Sequence, residues 1–339
     1  MYALYLGGLK KAMGIELFQS LMGFLTALQM LFIVRKSKLI GDIVDSIRNM
    51  REDFPVFTDN EFQQRMAPAW KVARAYIAAM NIYMVCYLVI PRAYDLTIGA
   101  LLGTPLWSHR LPATIASMVD GEGQTRDFQY VWVTLVTITW LPMSAYAHVG
   151  FDSCLILFGF YYSTLIDGFA QRLQEFDTSL TPSQRTEFVK TTAAHNRAIY
   201  MLSRKLKMLF GYPFALQNLL GAFIIVSLIF SVLPNRNHEP FVVNVTQYIN
   251  ILFLSSMLGA TAYAGQHITN QSSKLFDSMY SFPWYELNPS DRKYFISMIC
   301  SSREELKIDF YGMLALNYET LTVMGNTACS YLTFMMSML

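Results

Sequence analysis

Two stretches near the middle of the chain, 208–233 (MLFGYPFALQNLLGAFIIVSLIFSVL) and 241–264 (FVVNVTQYINILFLSSMLGATAYA), contain no Asp, Glu, Lys or Arg. About 20 such residues in a helix cross the ~30 Å hydrocarbon core of a bilayer. Weaker apolar runs of similar length lie at 14–34, 75–99, 130–166 and 312–338, each interrupted by one or two ionisable groups. The pattern predicts six helical spans. Between them the period changes: Leu39, Ile40, Ile43, Val44 and Ile47 recur at helical spacing, as do Ile199, Leu202, Leu206 and Leu209, so the linkers 35–74, 167–207 and 265–307 read as amphipathic helices. The run at 130–166 would be roughly 55 Å long as a helix, beyond the core thickness, and is expected to continue through Phe169, Leu173 and Phe176. These linkers predict a helical base below the bundle. With no internal repeat or composition break, residues 1–339 read as one all-α, polytopic membrane domain.

Composition agrees: of 339 residues, 53% are hydrophobic and only 15% charged. The linkers 35–74, 167–207 and 265–307 hold eight, seven and five of the 26 Lys and Arg residues. By the positive-inside rule the base is expected to be cytoplasmic, with both termini of the six-span chain outside. The run at 14–34 is too long for a signal h-region and ends in Arg35-Lys36-Ser37-Lys38, without a small-residue cleavage site. Cys86, Cys154, Cys300 and Cys329 have neither metal-ligand spacing nor a disulfide-framework pattern and read as buried small hydrophobes. No Gly-rich phosphate loop or zinc spacing occurs, so no enzyme, cofactor, metal site or nucleic-acid partner is expected.

An aromatic knot, Phe282-Pro283-Trp284-Tyr285, interrupts the chain before its last span. Asn288-Pro289-Ser290-Asp291 then signals a helix start, with Phe295, Met298 and Ile299 on one face. The expected role is a packed platform that launches the final helix, with Trp284, Tyr285, Phe295 and Met298 at a subunit boundary.

The same stretch carries a resemblance. Trp284-Tyr285, Arg292-Lys293, Met298, Phe310-Tyr311-Gly312 and the closing Ser330-Tyr331-Leu332-Thr333 resemble the C-terminal signature of insect odorant receptors. His195, Ile199, Arg204-Lys205-Leu206 and Phe210 are similar to the segment ahead of that family's fifth helix. The resemblance implies a seven-span architecture of inverted orientation, and this chain starts just before what resembles the second span, so a missing first span is expected. It further implies an odorant-gated, non-selective cation channel subunit in the plasma membrane of sensory dendrites, tetrameric with the odorant co-receptor and binding a small volatile odorant.

The resemblance places the pore on the last helix, with Ala328, Cys329 and Leu332 as gate candidates and Glu319 at its mouth. Small residues there also suit plain helix packing, and Glu319, eight residues into the span, needs no partner if it sits at the edge. A ligand cavity is expected among aromatic and Met side chains of the outer spans: Phe18, Met22, Tyr83, Tyr87, Trp132, Trp140 and Tyr146. Aromatics at such positions also form lipid belts. His148 and Asp152, four apart on one helix face, are expected to pair, with His148 as a polar ligand contact or both as a structural tie. The alternatives are a gustatory-type channel, or a non-conducting receptor signalling through a cytoplasmic partner. Asn288-Pro289 and Asp291-Arg292 only superficially echo G-protein-coupled receptors.

Overall fold

The computed structural model describes residues 15–55, 57–90, 93, 97, 101, 124–177, 179–232, 241–303, 307–310, 312 and 314–337. Eight long helices are described: α1 (Ile15–Arg35), α2 (Ser37–Asp53), α3 (Asp59–Met84), α4 (Gln124–Gln174), α5 (Pro182–Val232), α6 (Phe241–Ser281), α7 (Pro289–Ser302) and α8 (Tyr318–Ser337). A π-helical turn, Val85–Val89, continues α3, and a two-residue hairpin pairs β1 (Asp309–Phe310) with β2 (Leu314–Ala315) ahead of α8. Helix dominates as the apolar periods require. The expected turn at 234–240 lies outside the described residues.

The main surprise of organisation is continuity. Base and bundle are not separate helices: α4 and α5 each run unbroken for 51 residues and α6 for 41. The base segment 35–74 is instead split at Phe54-Pro55, where proline disfavours helix in the residue before it. The chain restarts at Thr58, whose hydroxyl accepts the Glu61 amide while the Glu61 carboxylate accepts the Thr58 amide. These bonds to Thr58 hold the Glu61 carboxyl below its ordinary pKa.

Two buried clusters result. The larger fills the base with Ile43 and Ile47 of α2, Phe62 and Met66 of α3, Phe169 and Leu173 of α4, Ile199, Leu202, Leu206 and Leu209 of α5, and Met279, Phe282 and Phe295. Of the expected apolar stripe on α2, Val44 faces outward. Phe282 explains the aromatic knot: its ring lies 4.7 Å from Phe176, 6.0 Å from Phe188 and 4.5 Å from Phe295. Pro283 ends α6, and the turn is strapped to α5 by Arg185, which donates to the Glu286 carbonyl, and by Thr186, which donates to Asp291. Asn288 caps α7 by accepting the Asp291 amide at 2.8 Å.

Among the described residues two stretches are long and apolar enough to cross a membrane by length and composition alone, Pro142–Gln174 and Pro182–Ile229; Leu21–Arg35 is a shorter apolar helix. The bundle's outside is greasy too. Phe24, Leu31, Val34, Ile82, Leu219, Phe223, Leu252 and Phe334 are exposed, which suits lipid and not water. Contrary to the sequence expectation, Cys154, Cys300 and Cys329 are exposed and Cys86 half-buried, because each falls on the outward stripe of its helix.

Candidate functional site

The second buried cluster occupies the half of the bundle away from the base. Tyr76, Met80 and Met84 of α3 meet Val149 of α4, Ile224 and Leu228 of α5, and Leu254 and Met257 of α6, with Leu21 and Met22 of α1 and Tyr83 packed against them. Phe253 of α6 stacks on Tyr83 at 4.3 Å and lies 6.5 Å from Tyr76. Five helices thus converge on a closely packed cluster of Met, aromatic and branched aliphatic side chains, the chamber region. Cavities lie in the base, one beside Ile199, Leu275, Tyr294 and Met298 and a smaller one beside Phe54, Phe62 and His195. Thioethers repack at little cost, so such walls adapt to varied apolar shapes.

A polar floor closes the chamber toward the base. Tyr76 donates its hydroxyl to Asp152 at 2.8 Å. Across from it, His148 Nε2 lies 3.9 Å from the same carboxylate oxygen, and His148 Nδ1 contacts Gln29 Oε1. Gln29 in turn donates to Gln217 at 3.3 Å. The chain of contacts takes one residue each from α1, α3 and α5 and two from α4, tying four helices. Asp152 Oδ1, His148 Nε2 and Gln217 Nε2 are buried without a hydrogen bond, a costly arrangement away from water. Above it, Ser144 donates to Thr26 at 3.0 Å.

Of the expected cavity residues, Met22, Tyr83 and His148 are brought together here. Trp132, Trp140 and Tyr146 are not. Each is about half exposed or more (61%, 52% and 46%), because α4 turns that aromatic stripe outward, and Tyr146 bonds Asn81 on the bundle surface. Phe18 and Tyr87 lie on helices, but their side chains fall outside the described residues. Sequence reasoning missed Tyr76, Met80, Met84, Phe253 and Met257, and also Gln29 and Gln217. The helical spacing of Tyr76, Met80 and Met84, and lone glutamines inside apolar runs, were the available signals.

Helix α8 packs on α5 and α6. Its Tyr331 ring lies 5.7 Å from Phe223, and Met324 approaches Gly221. Ala328 is buried against its own subunit, so it departs from the expected gate face. Cys329 is exposed, with Gly325, Asn326, Thr327, Ser330 and Thr333 exposed around it, whereas Leu332 is half-buried one turn after Ala328, at the edge of the packed stripe. Glu319 is exposed in the first turn. The lead-in to α8 is clamped: a Cβ on Gly265 would stand 1.9 Å from the Leu316 carbonyl oxygen, and Leu316 donates its amide to the Ile308 carbonyl. Gly312, at φ +77°, makes the hairpin turn.

The platform residues divide as well. Phe295 and Met298 are buried in the subunit's own base, which corrects their expected place at a boundary, whereas Tyr285 is exposed and Trp284 half-buried beside it.

A family model described as the 7tm odorant receptor matches residues 15–329. The chain is 22% identical over 326 residues to Odorant receptor 10 of Aedes albopictus, covering 92% of this chain and 80% of that protein. In fold it is similar to the insect olfactory receptor OR5 of Machilis hrabei in complex with eugenol. The TM-score is 0.72 at 10% identity, covering 98% of this chain and 82% of that one. A second structure of OR5 gives 0.69 at 11% identity, with 95% and 80% covered.

Proposed function

The chain belongs to the 7tm odorant receptor family, a family of helical membrane proteins, and on that premise we propose that it is the odorant-binding subunit of a ligand-gated, non-selective cation channel. The supporting observation is the chamber region: a Met- and aromatic-rich packed cluster drawn from five helices beside the polar contacts of Tyr76, Asp152, His148 and Gln29, which a small ligand would enter by displacing adaptable Met side chains. Apolar walls with a few convergent polar groups suit small volatile molecules. OR5 was solved with eugenol, a small aromatic of the size such walls accommodate.

Channel activity is assigned to α8. Its free face carries small and hydroxylated residues with Cys329 among them and Leu332 at its edge, which suits a hydrophobic constriction that gates by dewetting. Four subunits, some of them the odorant co-receptor, would bring these faces around one pore in the plasma membrane, with the base cytoplasmic as its cations favour. Exposed Tyr280, Tyr285, Tyr294 and Ile296 offer the base contact surface for such an assembly.

The test is voltage-clamp recording from cells expressing the chain with the co-receptor, screened with volatile compounds. Ligand-evoked cation current should persist with nucleotide signalling blocked, and Tyr83→Ala should raise the half-maximal ligand concentration about tenfold or more, the effect of roughly 1.4 kcal/mol of lost contact. Currents that vanish with nucleotide signalling would replace the channel reading.

A further inference from the structure

The packing of α1 and α2 on α5 brings two separate basic runs to one place. Arg35, Lys36 and Lys38 mark the junction between α1 and α2. Arg204 and Lys205 precede the uncharged part of α5. Their proximity is fixed by specific contacts: the Phe32 and Tyr212 rings lie 6.3 Å apart, Lys36 Nζ sits 5.9 Å from the Phe32 centroid, and Lys205 donates to Ser46 at 2.7 Å and to the Asp42 carbonyl at 3.2 Å. Lys38 stands one turn before Asp42 on α2. Arg35, Lys38 and Arg204 are exposed.

One acid, Asp42, stands in the seam, four residues after Lys38, and Lys205 bonds its carbonyl and not its carboxylate; the neighbouring acids are engaged elsewhere. Asp45 reaches Arg48 at 4.0 Å, and Asp309 takes Lys207 at 2.6 Å. Among the described residues none of the five seam cations forms an ion pair with a carboxylate. Immediately toward the bundle, Leu31, Val34, Met208 and Tyr212 are exposed. The surface is therefore amphiphilic in a fixed order: five cations, then an aromatic at the boundary, then aliphatic side chains along the lipid-facing helices.

We propose that the seam formed by the α1–α2 junction and α5 is a binding site for an anionic phospholipid of the base-side leaflet. Its headgroup phosphate and carboxylate lie on Arg35, Lys36, Lys38, Arg204 and Lys205, and its acyl chains lie along Leu31, Val34 and Met208. Clustered Lys and Arg beside a membrane helix attract anionic headgroups, and a guanidinium matches a phosphate bidentately. A soluble polyanion would use the cations but leave the adjoining apolar strip without a role. This site is separate from the ligand chamber and does not depend on the channel reading.

The full chain, with the co-receptor where assembly requires it, is reconstituted in phosphatidylcholine vesicles with and without phosphatidylserine. It is then extracted into detergent, and the phosphatidylserine retained per protein is measured by native mass spectrometry. The wild type should retain it. Arg35→Gln, Lys38→Gln and Arg204→Gln together should reduce retention at least about fivefold, while Arg35→Lys, Lys38→Arg and Arg204→Lys keep it. Lys190→Gln, Lys274→Gln and Lys293→Gln, the same charge removed elsewhere on the base, should leave it unchanged. A thermal midpoint measured in phosphatidylcholine alone checks that the variants fold, and if the triple variant does not, the three single variants are read instead. Equal loss in the Lys190, Lys274 and Lys293 variant, unchanged retention in the seam variants, or displacement of the lipid by inorganic phosphate at equal concentration would overturn the proposal.

Discussion

The base and the chamber are built by the same long helices but packed to different ends. In the base, Phe282 touches Phe176, Phe188 and Phe295, and Phe169 lies edge-on to His195 at 5.2 Å; rings interlock, Asn288 and Thr186 are cap and strap residues at its edge, and the buried Tyr162 hydroxyl and His195 nitrogens lack hydrogen bonds as atoms of the chamber do. In the chamber, Met80, Met84 and Met257 replace most of the rings, and the polar groups sit in the middle, with three atoms unbonded. Interlocked rings resist deformation, whereas thioethers leave neighbouring packings close in energy. One half holds shape; the other repacks more readily.

Substitutions can break this contrast. Phe282→Ala should be the most damaging, costing about 3–5 kcal/mol of stability; a thermal midpoint and size-exclusion profile like wild type would show that the base is less interlocked than described. Gly265→Ala forces a methyl against the Leu316 backbone and should cost about 1–3 kcal/mol, read as lost surface expression or altered basal current. Met257→Leu, in the chamber, should change stability by less than about 1.5 kcal/mol yet reorder ligand potencies in a dose-response panel; a potency ranking identical to wild type argues that ligands do not touch that wall.

His195→Phe sharpens the comparison in the other direction. The His195 ring is stacked on Phe54 at 4.3 Å, and both its nitrogens are buried without a hydrogen bond. Phenylalanine keeps the stack and removes the unmet polar atoms, so stability should rise by about 1 kcal/mol, read as a higher thermal midpoint. A fall would mean that the nitrogens have partners in the membrane-embedded protein. The smallest expected effect is none: Asn270, in the sequon Asn270-Gln271-Ser272 on the base portion of α6, should carry no glycan in cell-expressed protein, and glycan detected there would invert the orientation.

The helices were legible because uncharged runs and 3.6-residue periods are local signals, and so was the start of α7 at Asn288-Pro289. The run-on of α4 through Phe169 and Leu173 was legible from its length, but the continuity of α5 was not: nothing in the polarity of 182–207 and 208–232 joins the two stretches, and Pro213 argues for a break. For the chamber, Met22, Tyr83 and the His148–Asp152 pair could be found from one helix at a time. Trp132 and Trp140 could not be placed, since the rotation of α4 about its own axis depends on what α1, α3 and α5 present to it. The glutamines were missed because Gln29 and Gln217 are 188 positions apart and make sense only as a pair.

The unbroken course of α5 has a mechanical meaning. The same rod, roughly 75 Å long by helical rise, carries Ile224 and Leu228 in the chamber wall and Ile199 and Leu202 in the base, with Phe223 alongside α8 on the way. Pro213 lies where the base part of α5 meets the bundle, four residues before Gln217, and it removes one backbone hydrogen bond of the helix there, so the rod carries its joint at the level of the polar network, between its chamber arm and its base arm. A ligand held against Ile224 and Leu228 would load one arm of that joint, and α8, packed on the same arm at Phe223, would take up the displacement.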